Sequence, residues 1–63
     1  MWIKLHFYHS GDEVAVQAQN ICFVCPDQRE QYDGVTCIQF NGAEENYIKV
    51  KESVDEIGRM ITE

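Results

Sequence analysis

Cysteine is the residue type in this chain with the most chemistry to offer. Cys22 and Cys25 make a Cys-x-x-Cys spacing, and Cys37 stands further on. In redox proteins that spacing normally opens a helix, whose dipole lowers the thiol pKa. Here it lies inside Ile21-Cys22-Phe23-Val24-Cys25, a run with strand composition. Three residues of strand span about 10 Å and point the two side chains to opposite faces, whereas a disulfide needs Cα atoms within about 7 Å. Redox chemistry between Cys22 and Cys25 is therefore disfavoured. A structural zinc site wants four ligands, typically in paired short spacings. One pair at the wrong period, with Cys37, His6 and His9 scattered, makes a metal site on Cys22, Cys25 and Cys37 the alternative reading. The leading one treats the thiols as small hydrophobes.

The other titratable groups are less suggestive. His6 alternates with Lys4 and Tyr8 on a polar strand face, and His9 falls in a turn. Neither has a serine, cysteine or carboxylate partner by spacing. Glu44-Glu45 and Asp55-Glu56 would serve as acid or base only in a pocket that raised a pKa. A solvated loop and a helix start account for them. No glycine-rich phosphate loop is present. The residues give no catalytic constellation and call for no cofactor, so the expectation is a non-enzyme.

The elements that would hold these groups are legible from periodicity. Trp2 to Tyr8 alternates, with Ile3, Leu5 and Phe7 on one face and Trp2, Lys4, His6 and Tyr8 on the other. His9-Ser10-Gly11-Asp12 supplies a turn, and Glu13-Val14-Ala15-Val16-Gln17 returns with Val14 and Val16 inward. The less apolar Gln17-Ala18-Gln19-Asn20 changes the chain's direction. Ile21 to Cys25 is a third strand that Pro26 should end, lacking a donor and biasing Cys25 towards extended backbone. Residues 26–34 are polar and read as an exposed loop, Tyr32 excepted.

Val35 to Phe40 is the fourth strand, with Thr36, Ile38 and Phe40 on one face and Val35, Cys37 and Gln39 on the other. Asn41-Gly42 is a hairpin signal, but Ala43-Glu44-Glu45-Asn46 delays the return, so a longer loop is expected. Tyr47 to Lys51 is the fifth strand, with Ile48 and Val50 inward and Lys49 and Lys51 expected in water. Ser53 and Glu56 form a capping box, and Asp55 and Glu56 complement the helix dipole. Val54, Ile57 and Ile61, flanked by Met60, make the apolar stripe of a terminal helix. Gly58 beside it marks either a weak spot or a close approach to a neighbour. The expected fold is α+β: one antiparallel meander of four to five strands with the helix packed on one face.

Size and charge narrow the function. At 63 residues the chain makes one small domain, and domains of this size bury only about 60% of their extended surface. Supplements are disulfides, metals or oligomerisation, and three cysteines make no disulfide framework. A homo-oligomer is expected. The net charge of −6 and five dispersed basic residues disfavour nucleic acid. No apolar run suits a membrane span, and Met1-Trp2-Ile3-Lys4 lacks a signal-peptide pattern, so a cytoplasmic location is expected. Aromatics make the apolar surplus. Trp2 and Tyr8 oppose Ile3, Leu5 and Phe7, and Tyr32 rides a polar loop. These are residue types of interface centres, so Trp2, Tyr8 and Tyr32 are the candidate contacts to a second copy or a protein partner.

The run Asn41-Gly42, Tyr47-Ile48-Lys49-Val50-Lys51-Glu52-Ser53-Val54-Asp55-Glu56-Ile57 and Ile61 resembles the C-terminal signature of the small bacterial flagellar FlbD-like (swarming-motility) family. Gln17-Ala18-Gln19-Asn20-Ile21 is similar to that family's Asn-Ala-Asp-Leu-Ile segment, and Ile3-Lys4-Leu5 to its opening strand. Loops 26–34 and 43–46 and the three cysteines fall outside the pattern. The resemblance implies a cytoplasmic accessory factor that works through protein contacts and carries no catalytic residues.

Overall fold

A computed structural model describes residues 1–27, 34–42 and 45–62 of the chain. Among these residues there are five strands and one helix: β1 (Trp2–His6), β2 (Glu13–Gln17), β3 (Ile21–Pro26), β4 (Thr36–Phe40), β5 (Tyr47–Val50) and α1 (Val54–Thr62). All pairings are antiparallel and the class is α+β.

The strands do not form one meander. β1 and β2 make a two-stranded sheet, and β3, β4 and β5 a three-stranded one with β4 in the middle. Two features cause the split. Ala18–Asn20 form a 3-10 turn between β2 and β3, which redirects the chain so that these consecutive strands do not pair. Meanwhile the end of β1 crosses onto β5. Phe7 bridges Val50, the Tyr8 N–H donates to the Lys49 carbonyl at 2.9 Å, and the Lys51 N–H to the His6 carbonyl at 2.9 Å. The end of β1 is thus tied to the last strand and the residue after it, not to the third strand.

The inner faces of both sheets share one core. β1 and β2 contribute Ile3, Leu5 and Val16; β4 and β5 contribute Ile38 and Val50; α1 contributes Ile57. The alternation of β1 and β2 holds as expected, since Ile3 pairs with Val16 and Leu5 with Val14. Period-2 alternation leaves a strand only one apolar face, and these two faces are buried against each other.

The helix is capped as its sequence indicates. The Glu56 N–H donates to Ser53 Oγ at 3.1 Å, and the Ser53 N–H to Glu56 Oε1 at 3.2 Å. Its stripe is narrower than the periodicity implies. Ile57 is buried and Met60 packs against the core, while Val54 and Ile61 remain exposed. A Cβ placed on Gly58 would meet nothing within 4 Å. Gly58 therefore marks no close approach of the helix to a strand of this chain.

Two strand details also depart from simple alternation. Val35 lies before β4, not in it, and is buried instead of sharing the outward side of Cys37 and Gln39. In β3 the register shifts between Ile21 and Phe23, a bulge in which two residues oppose one. Pro26 is the last residue of β3. Between β4 and β5 the longer loop is present, closed by the Phe40 N–H donating to the Asn46 carbonyl at 2.9 Å. Gly42 there has φ +118°, which favours glycine.

Candidate interaction surface

The bulge in β3 decides what the three-stranded sheet shows on its outside. With strict alternation Ile21 and Phe23 would share a face. The extra residue resets the phase, so Ile21 and Val24 both pack on the core and Cys22 and Phe23 are both exposed. Val24, Ile38 and Ile48, successive cross-strand partners, make the inner row.

Two rows stand on the outer face. Phe23 pairs with Gln39, which pairs with Tyr47; Cys25 pairs with Cys37, which pairs with Lys49. Directly paired residues project to the same face. Phe23 is 52% exposed and Tyr47 46%. They are two strands apart, about 10 Å at the usual strand spacing, so the two rings and the Gln39 side chain between them form one continuous strip.

The Gln39 amide is oriented by its own hairpin. Its Nε2 lies 3.3 Å from the Asn46 carbonyl and 3.4 Å from that of Phe40. At the other end of the face, Lys49 Nζ donates to Asp27 Oδ2 at 2.6 Å, with both side chains largely buried. This pair ties β5 to the residue that follows β3. It also removes a cation and an anion from the outer surface, leaving the two rows without any unpaired carboxylate.

The residues singled out in the sequence are spread more widely. Trp2 is 68% exposed on the outer side of β1, where Met1, Lys4 and Met60 border a shallow hollow. Tyr8 is half-buried beyond the far end of β1, its ring edge-on to His9 with centroids 5.2 Å apart. Trp2 opens the five-residue β1, which spans about 15 Å, and Tyr8 lies past its other end, so the two do not form one patch. Tyr32 lies outside the described residues. Phe23 and Tyr47 were the aromatics the periodicity did not nominate. Only the phase shift at the bulge exposes Phe23, and no residue type announces a bulge at Cys22.

The histidines are engaged structurally. His6 Nδ1 donates to Glu52 Oε2 at 2.6 Å, and the His6 backbone N–H to Glu52 Oε1 at 2.9 Å. Glu52 thus clamps the end of the first strand to the segment between β5 and α1. Burial raises the Glu52 pKa, but the hydrogen bonds from His6, together with its charge when protonated, outweigh it and hold the carboxyl below the usual glutamate range. His9, Glu45 and Tyr47 border an open hollow with Phe7. Cys22 is exposed, and Cys25 and Cys37 are partly buried. Among the described residues no three His, Cys, Asp or Glu side chains converge as metal ligands. Among the same residues no helix is long and apolar enough to cross a membrane.

Comparison of the chain with family models, with curated proteins and with solved structures finds no match.

Proposed function

We propose that this chain is a non-enzymatic protein-interaction module that self-associates through the outer face of its three-stranded sheet. The observation that carries the reading is the strip Phe23–Gln39–Tyr47, two exposed rings flanking a centrally placed amide. A two-fold contact requires a self-complementary patch in which residue i meets j and j meets i. An axis through Gln39 sets each Phe23 against the partner's Tyr47 and brings no carboxylate of either row against another. That matters for a chain of net charge −6, where most other faces would repel their own copy.

The thin core gives such contact a physical purpose, because a domain this small gains stability from each apolar surface it covers. Trp2, on the other sheet, is left as a separate anchor for a different protein. The resemblance to the flagellar FlbD-like family fits a cytoplasmic accessory role, motility being the process it suggests.

Native mass spectrometry of the full chain beside a Phe23→Ser/Tyr47→Ser double variant tests this reading. The unaltered chain should be a metal-free dimer, and the variant a monomer with unchanged far-UV circular dichroism. A unaltered chain that stays monomeric at every concentration, or a variant that still dimerises, would overturn it.

A further inference from the structure

We infer that Cys25 and Cys37 form a reversible dithiol–disulfide site, oxidised by a low-molecular-weight disulfide such as glutathione disulfide. The pair comes from the tertiary register and not from the Cys-x-x-Cys spacing. Cys25 and Cys37 are direct partners across β3 and β4 and lie on the outer face, because the adjoining pair Val24 and Ile38 belongs to the core side.

The hydrogen-bond phase of the ladder sets their separation. The Asp27 N–H donates to the Val35 carbonyl at 2.8 Å, which makes 27 and 35 a hydrogen-bonded pair. Such pairs alternate along an antiparallel ladder, so Cys25 and Cys37 occupy the next one, and Pro26, with no N–H, falls opposite Thr36 where none is needed. Cα atoms of hydrogen-bonded pairs are about 5.5 Å apart, inside the range a disulfide spans. Cys22 has no such partner. It lies at the bulge, and Phe23 and Val24 separate it from Cys25 along the strand.

The same geometry makes the bond labile. Cβ atoms of directly opposed residues are about 4.5–5.5 Å apart, against about 3.8 Å in a relaxed disulfide. Closing that gap strains β3 against β4, and strained, accessible disulfides are the readily reduced kind. Cys25, on the edge strand and partly exposed, attacks first as thiolate. It forms a mixed disulfide and releases one small thiol; the Cys37 thiolate then attacks the Cys25 sulfur and expels the second. Two electrons pass to the small disulfide, and the two protein thiol protons end, by way of solvent, on the two small thiols it becomes. The product staples β3 to β4 beside the Phe23–Gln39–Tyr47 strip. The site stands whether or not the chain self-associates.

The test is titration of the full chain, dilute and folded, in buffers of reduced and oxidised glutathione, with acid quench, alkylation and peptide mass mapping. Expected is a chain lighter by two hydrogens whose linked peptide joins Cys25 to Cys37, restored by excess reduced glutathione, and unaffected by Cys22→Ser. In denaturant the preferred link should move to Cys22–Cys25, the shorter loop. A folded chain that links Cys22 instead, or carries only separate glutathione adducts on Cys25 and Cys37, would overturn the assignment. Loss of the link in Cys37→Ser, with glutathione retained on Cys25, would support it even if that variant were less stable.

Discussion

The two sheets are built from similar strands yet end with opposite outer surfaces. The outside of β1 and β2 carries Lys4 and His6 facing Ala15 and Glu13, with Trp2 alone at the end. The outside of β3, β4 and β5 carries Phe23, Gln39, Tyr47 and two cysteines, with its one cation paired to Asp27. The first sheet follows unbroken alternation, and its polar residues fall in water. The second contains a bulge, and one extra residue is enough to exchange a core ring for an exposed one. A sheet's solvent face is thus set by register as much as by composition.

The sharpest way to break this contrast is to ask whether the sheets are separable. Leu5 of the first and Ile38 of the second are both fully buried in one cluster. Leu5→Ala and Ile38→Ala should each cost about 2–5 kcal/mol, which lowers the melting temperature of so small a domain by about 10 °C or more. Both losses should appear as one cooperative transition in thermal circular dichroism. A Leu5→Ala chain that melts in two steps would mean that the hairpin is an appendage.

Next in size is the difference between the outer faces themselves. Phe23→Ser should weaken self-association at least tenfold, about 1.4 kcal/mol, as read by sedimentation. Lys4→Ser, on the polar face of β1, should leave it unchanged. Equal effects would remove the distinction between the faces.

The helix contributes to the core chiefly through Ile57, with Met60 beside it, and its exposed interior glycine is a place to gain stability. Gly58→Ala should raise stability by about 0.5–1 kcal/mol, measured by denaturant unfolding, since the added methyl meets no neighbour. A destabilised variant would show that the helix lies closer to a sheet than its surroundings indicate.

The smallest effect expected is that of the Glu52 clamp between the end of the first strand and the segment joining β5 to α1. Its folded carboxyl is held below the usual range, so its stabilisation is fully present above the ordinary glutamate pKa and is lost as pH falls through the folded value. Glu52→Gln should therefore flatten the acid limb of the stability–pH curve and lower stability at neutral pH. An unchanged acid limb would show that His6 and Glu52 are not coupled to folding.

Local patterns carried much of this molecule. The alternation of β1 and β2, the turn at Ala18–Asn20, the fourth and fifth strands and the capping box of Ser53 and Glu56 all occur where residue periodicity and short-range hydrogen bonding put them. These features depend on neighbours a few positions apart, and a sequence states those directly. The candidate surface was only partly legible: Trp2 is exposed as its phase requires, while Tyr8 lies at the far end of the strand and Phe23 and Tyr47 form the strip.

What the tertiary structure alone decided is the division into two sheets, the phase of β3 and the pairing of Cys25 with Cys37. Each rests on contacts between residues distant in the chain. The end of β1 reaches β5 because the sheets bury one shared core, and that competition for burial is settled among whole faces. The bulge survives because Ile21 and Val24 are both needed inside, a demand imposed by β4 and the core and invisible in the run Ile21 to Cys25 itself.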